Sequence, residues 1–195
     1  MSDPRASKVP LRQQLAEVRR RIDPAALHVA SAAIAVHVES LPAVRDARTV
    51  ALYQALRTEI QTLPLWQALA RAGKRVLFPR VQAGSRVLSF APVDDPAELT
   101  VGALGIHEPP PARDVPIDEI DVFVVPALGF DRHGRRLGRG GGYYDATLAA
   151  HPAALRVGPC LAEALVACVP CEVHDEAVDF VVTPDEVIAA PPRCR

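Results

Sequence analysis

No stretch of this 195-residue chain approaches the length of a membrane span. The opening MSDPRASKVPLRQQ carries Arg5, Lys8 and Arg12 without an apolar run, so no secretory leader is expected and the chain is placed in the cytoplasm. Cysteine is scarce as well. Cys160, Cys168, Cys171 and Cys194 are too few and too clustered for a disulfide framework in a chain of this size, and reduced thiols are expected. Net charge is only -1, which excludes a whole-molecule field for gathering nucleic acid or anionic lipid; any anion has to be caught by a local cluster. There is no internal repeat, low-complexity block or visible linker, since the 19 prolines and 11 glycines are scattered along the whole chain. What is present is globular composition, 49% apolar against 23% charged, in a length suited to one core. A single domain over 1–195 is expected, with a monomer as the default state.

Leu11, Leu15, Val18 and Ile22 recur at helical spacing from Pro10 onward, and Arg19, Arg20 and Arg21 close that run where cations suit a helix C-terminus. Asp23-Pro24 reads as the cap and first residue of a second helix stopped by Pro42. Thr49 to Tyr53 is a short buried strand, followed by a loop holding Glu59. Thr62 is placed to cap a third helix that Gly73 ends in a left-handed conformation, ahead of a strand from Arg75 to Pro79. Further strands are expected at Arg86 to Phe90, Asp121 to Val125, Leu155 to Gly158 and Phe180 to Thr183, with a helix from Tyr143 to Ala150. Pro109, Pro110, Pro111 and Pro116 make an extended connection. Alternating strands and helices predict a three-layer α/β/α fold with a mostly parallel or mixed central sheet, and ligands in such folds collect beyond the carboxyl ends of the strands.

The segment Gly129 to Asp145, GFDRHGRRLGRGGGYYD, follows directly on a buried strand. Gly138, Gly140, Gly141 and Gly142 lack Cβ, so backbone N–H groups can turn inward on a phosphate, and the helix N-terminus that follows adds unpaired donors. Arg136 and Arg139 supply full charge in fork geometry. Asp145, in the first turn, is either a complement to the helix dipole or a carboxylate that meets phosphates through a bridging Mg²⁺. The Gly-Lys-Ser/Thr of a P-loop is missing, and the glycine spacing is not that of a dinucleotide fingerprint.

Taken whole, FDRHGRRLGRGGGYYD resembles the signature of the 5-formyltetrahydrofolate cyclo-ligase (5,10-methenyltetrahydrofolate synthetase) family, and KVPLR, YQALRTEIQT, GKRVLFPRV, LGIHEPPP and HDEAVDFVVTP look like further family landmarks in the same order. The resemblance implies a ligase that uses ATP and Mg²⁺ to cyclise 5-formyltetrahydrofolate. It implies ATP contacts from Lys8, Val9, Pro10, Leu11 and Arg12 and from Arg136, Leu137, Gly138, Arg139, Gly140, Gly141, Gly142, Tyr143 and Tyr144, although Tyr144 by itself reads as core. It implies folate contacts from Gln54, Glu59, Arg139, Gly140, Gly141, Gly142 and Tyr143, with Arg139 and Tyr143 at the reacting group, and Mg²⁺ ligands in Asp145 and Asp179. By composition alone Glu59 and Asp179 are ordinary solvated acids. The chain departs from the resemblance at Gly141, where some members carry lysine, and at Leu104, where an aromatic occurs; His107 has no assigned role.

Other readings compete. Cys168-Val-Pro-Cys171 with His174 nearby suggests zinc or redox chemistry, but there is no second CxxC. Arg19 to Arg21 are basic, yet no aromatic residues interleave them as in RNA binders. A folate- or nucleotide-binding protein without turnover, or a kinase-like enzyme acting on another small amide or acid, would use the same loop.

Overall fold

The computed structural model describes residues 4–102, 105–110 and 113–193. Helix α1 spans Pro4–Arg21 and takes Pro10 inside it. An internal proline costs on the order of 3 kcal/mol, which is why the sequence reading starts the helix there. The turn before Pro10 is instead held by Lys8, whose ammonium sits 2.8 Å from Glu172 and 2.6 Å from Asp175. Helix α2, Pro24–Ser40, starts as expected, with Asp23 accepting from the backbone N–H of Ala25 and Ala26 at 3.0 Å each. A short α3, Pro42–Asp46, follows.

In α4, Leu63–Arg71, Thr62 makes no side-chain cap; its hydroxyl donates to the Tyr53 carbonyl at 3.0 Å and ties down the loop between them. Gly73, at φ 71°, ends the helix in the left-handed conformation the sequence predicts. Helix α5 spans Tyr143–Ala150.

The strands are β1 (Thr49–Ala51), β2 (Arg75–Arg80), β3 (Ser89–Pro92), β4 (Thr100–Val101), β5 (His107–Glu108), β6 (Val122–Val124), β7 (Gly129–Phe130), β8 (Arg136–Leu137), β9 (Leu155–Pro159), β10 (Phe180–Val182) and β11 (Val187–Ala189). Seven of them form one sheet in the order β11-β10-β9-β6-β1-β2-β3. Its inner five are parallel, and β3 and β11 close the edges antiparallel. The mixed sheet agrees with the sequence reading, but β11 is an addition to it and β3 lies three residues later than expected, at Ser89–Pro92 rather than from Arg86. Strand pairs β4-β5 and β7-β8 stand apart as small ribbons.

The register places side chains on both faces. Phe78 meets Trp66 of α4 on one side, ring centroids 4.8 Å apart. Phe123 meets Phe90 and His151, the residue after α5, on the other at 5.4 and 5.9 Å. Helices therefore cover the sheet from two sides. Arg156 is buried on the α5 side, an unusual guest for a central strand. It donates to the Leu148 carbonyl near the end of α5 at 2.7 Å and to Glu176 at 2.6 Å, so a helix end and an acid neutralise it together. From β1 the chain crosses to β2 on one side, while β6 leads to β9 and β10 on the other. The crevice between β1 and β6 is thus the switch point where such sheets accept ligands.

Candidate active site

Two loops leave the switch point. The loop after β1 carries Tyr53, Gln54, Leu56 and Glu59; the one after β6 runs through the β7-β8 ribbon to α5. The ribbon is fixed from below. Phe130 is fully buried over β9, where an added Cβ at Gly158 would fall 2.4 Å from its ring, so only glycine fits there. Asp131, also fully buried, accepts from the N–H groups of His133, Arg135 and Val169 and so joins the ribbon to the segment around 169–176.

Between these loops and α1 lies a cavity of about 930 Å³. Of the residues expected at a site, Lys8, Val9, Arg12, Gln54, Glu59, Arg136, Leu137, Gly138, Arg139, Gly140, Gly141, Gly142, Tyr143, Tyr144 and Asp145 line it. Residues at opposite ends of the sequence thus converge. Pro10 and Leu11 do not line it, because residues 8–12 are helical and only one stripe of a helix can face a cavity: Pro10 is exposed and Leu11 packs on the core.

The structure also fails to bring Asp179 to the cavity. That residue precedes β10 instead of following a strand; one carboxylate oxygen accepts from the Arg156 N–H at 2.9 Å and the other from Arg193 at 2.8 Å. Asp175 of the same HDEAVD string is the acid that reaches the cavity, together with Glu172 and His174. Sequence reasoning assigns Glu172 and Asp175 no role, since Asp175 and Asp179 stand four residues apart with nothing local to choose between them. Arg5 and Arg86 also line the cavity, and no motif marks either of them as site residues. Leu104 lies outside the described residues. His174 groups with Glu172 and Asp175, their ligand atoms within 4.8 Å of one another, and among the described residues no such group joins it to Cys168 or Cys171.

The cavity's cations are held by its own acids. Lys8 rests on Glu172 and Asp175, Arg136 on Asp145 at 2.6 Å, and Arg139 on Glu59 at 3.0 Å. Burial lowers the Lys8 ammonium's affinity for its proton, but hydrogen bonds to Asp175 and Glu172 outweigh it and hold the group above its ordinary value. Lys8 and then Arg5 pull the Glu172 carboxyl down to about 2. With the folded value depressed, that pair contributes above the unfolded carboxyl range and is lost only as pH falls toward 2, so it persists throughout the neutral range. Burial pushes the Tyr53 and Tyr144 phenols well up, leaving both neutral, and raises the Cys160 thiol to about 12, which makes it an inert core residue.

The glycine turn completes the site. Gly140 and Gly142 have φ of 100° and 72°, and Gly142 begins α5 with no side-chain cap, so the first N–H groups of that helix stay available to a guest. Arg12 donates to the Gly138 carbonyl at 3.0 Å from beneath the turn. Open helix donors with Lys8, Arg12, Arg136 and Arg139 fit a polyanion. The carboxylates of Asp145, Glu172 and Asp175 are hard oxygen donors of the kind Mg²⁺ takes. Gly142→Ala is expected to cost about 1–2 kcal/mol in urea unfolding, because an L residue is strained at that φ.

A sequence profile for the 5-formyltetrahydrofolate cyclo-ligase family matches residues 4–184. The chain is 38% identical over 176 residues to 5-formyltetrahydrofolate cyclo-ligase of Escherichia coli, covering 87% of this chain and 96% of that one. It is 34% identical over 192 residues to the enzyme of the same name from Mycolicibacterium smegmatis, covering 94% and 97%. Its fold matches the solved structure of Aquifex aeolicus 5,10-methenyltetrahydrofolate synthetase with a TM-score of 0.83 at 29% identity, over 96% of this chain and 95% of that one.

Proposed function

Because the chain belongs to the 5-formyltetrahydrofolate cyclo-ligase family, and is a ligase, we propose that it converts 5-formyltetrahydrofolate to 5,10-methenyltetrahydrofolate with hydrolysis of ATP to ADP and phosphate. The observation that carries this reading is the convergence of Lys8, Arg12, Arg136 and Arg139 with the open N-terminus of α5, directly beside the Glu59 loop. The first group suits a triphosphate, the second a neutral heterocycle rich in N–H donors.

A formyl amide is inert toward ring closure because its nitrogen lone pair is delocalised and its oxygen leaves poorly. Transfer of the γ-phosphoryl group to that oxygen turns it into a leaving group; the second folate nitrogen then attacks the formyl carbon, phosphate departs with the oxygen, and the nitrogen's proton goes to solvent. No protein nucleophile is required. The residues align oxygen with phosphorus and stabilise charge on the transferring group. Arg139 and Arg136 exchange their carboxylate partners for phosphate oxygens, and the N–H groups at Gly140 to Tyr143 hold the terminal phosphate. Gln54 and Glu59 accept from the pterin, Tyr143 lies along the reacting group, and Tyr144 supports the wall. Asp145, with Glu172 and Asp175 at hand, offers the oxygens for Mg²⁺, which when bound neutralises phosphate charge. The protein acts as one cytoplasmic domain and as a monomer.

Mixing the purified protein with 5-formyltetrahydrofolate and Mg-ATP is expected to give the methenyl absorbance with one ADP per product. Binding of both compounds by calorimetry without product would make the protein a binder. Failure to bind nucleotide at all, with or without folate, would end the proposal.

A further inference from the structure

The sequence places Arg19 among three solvated cations at a helix end, but the structure buries it, with only 6% of its side chain exposed. It points from the last turn of α1 at the underside of Glu59, Nη1 lying 3.8 Å from Oε1. Its Nε and Nη1 have no hydrogen-bond partner among the described residues. A buried guanidinium whose Nε and Nη1 lack hydrogen-bond partners is a poor stabiliser, which directs attention to the carboxylate it faces.

Glu59 supplies the explanation. Its side chain is as buried as that of Arg19, at 6% exposure, and its Oε2 accepts from the Leu56 N–H at 3.0 Å. Its Oε1 is shared by two guanidinium groups of different character. Arg139 approaches from the cavity and is 54% exposed on the glycine turn; Arg19 comes from the core side and is anchored in a helix. A ligand whose donors take Glu59 from the cavity side must displace Arg139. Without a second cation that exchange would leave a buried carboxylate without a counter-charge, which is strongly unfavourable.

We infer that Arg19 is a positioning residue for substrate recognition: the permanent counter-charge that holds the Glu59 carboxylate in place while Arg139 is released to the reacting group. This rests on the proposed role of Glu59 in holding the folate. The phenols of Tyr53 and Tyr144, which also lie near Glu59, are neutral and have no positive charge to offer in its place. Burial lowers the Arg19 guanidinium from its ordinary value while Glu59 raises it, and the group keeps its charge.

Steady-state kinetics on Arg19→Met, Arg19→Lys, Glu59→Gln and the Arg19→Met/Glu59→Gln double variant, with thermal melts, test this. Arg19→Met is expected to raise KM for 5-formyltetrahydrofolate about tenfold, with kcat within about threefold and Tm unchanged or higher, since it removes unpaired buried nitrogens. Arg19→Lys recovers most of the lost affinity, and Arg19→Met adds nothing once Glu59 is Gln, because coupled residues are non-additive. A normal KM in Arg19→Met beside a raised KM in Glu59→Gln overturns the inference and leaves the folate reading standing. So do independent, multiplying effects in the double variant. A normal KM in Glu59→Gln removes the folate reading and the inference with it. Should Arg19→Met fold poorly, Arg19→Gln, which keeps the shape and loses the charge, gives the same comparison.

Discussion

Arg139→Ala is expected to lower kcat/KM by at least about 10³-fold while Tm stays within a few degrees of the parent, because a guanidinium on a transferring phosphoryl group contributes 10³–10⁵ in rate. The two halves of that result come from different contacts. In the resting structure Arg139 is half-exposed, and its ion pair with Glu59 is solvent-screened on the arginine side, so breaking it removes well under 1 kcal/mol of stability. The backbone around it is glycine, with no packing for the side chain to support. In the proposed transition state, by contrast, the same group would meet developing charge in the cavity, where no other side chain on the 138–142 turn carries a cation to replace it. Arg139→Lys restores a point charge without the fork and is expected to recover only part of the rate. Rapid-quench measurement of ADP release together with circular dichroism decides the matter. Near-normal turnover in a folded Arg139→Ala protein would remove the phosphoryl-transfer assignment from this turn.

That separation of roles is partly legible in the amino-acid sequence. The glycine-rich string suggests an anion cradle only because arginines and a downstream acid accompany glycines that would equally suit a flexible loop, and the alternation of strands and helices indicates where that string sits. Local chemistry also marks Asp23 as a cap and Gly73 as a stop, both determined within four residues. Long-range pairing is what a linear string conceals. Thr62 has the residue type of a cap, yet its hydroxyl turns to Tyr53, and Pro10 looks like a helix start although Lys8 is held by acids 164 and 167 residues away. Arg19 and Arg156 carry the same lesson from the other side. Arginine defaults to the surface, and only the fold shows that one sits beneath Glu59 and the other caps α5. Asp179 lies off the cavity for a related reason: only the path of the chain into β10 decides that Asp175, four residues earlier, is the acid that lines it.

Asp131 has no assigned role in the glycine-rich string, and Asp131→Ala is expected to be the most destabilising single change in it. The residue is wholly buried, and its two oxygens take three backbone donors: His133 N–H at 2.9 Å, Arg135 N–H at 3.1 Å and Val169 N–H at 2.9 Å. Alanine would leave the buried Val169 N–H and the part-buried His133 and Arg135 N–H groups without their acceptor, and the Arg135 side chain, 3.9 Å away, without its acid. Losing an acceptor of that kind costs about 3–5 kcal/mol. Asp131→Asn is expected to cost less, about 1–3 kcal/mol, since its amide oxygen can still serve one side while its NH₂ is turned against a donor on the other. Urea unfolding of the two variants measures both numbers. The effect should extend to the site. The turn that Asp131 closes leads into Arg136, and the Val169 bond holds the segment carrying Glu172 and Asp175, so one carboxylate keeps the arginines of the glycine turn and the acids opposite Lys8 in mutual register. At a temperature where Asp131→Asn is still folded, kcat/KM should therefore fall for ATP as well as for the folate. An Asp131→Ala protein within about 1 kcal/mol of the parent would show that those three donors find other partners and that the ribbon is held by Phe130 packing alone.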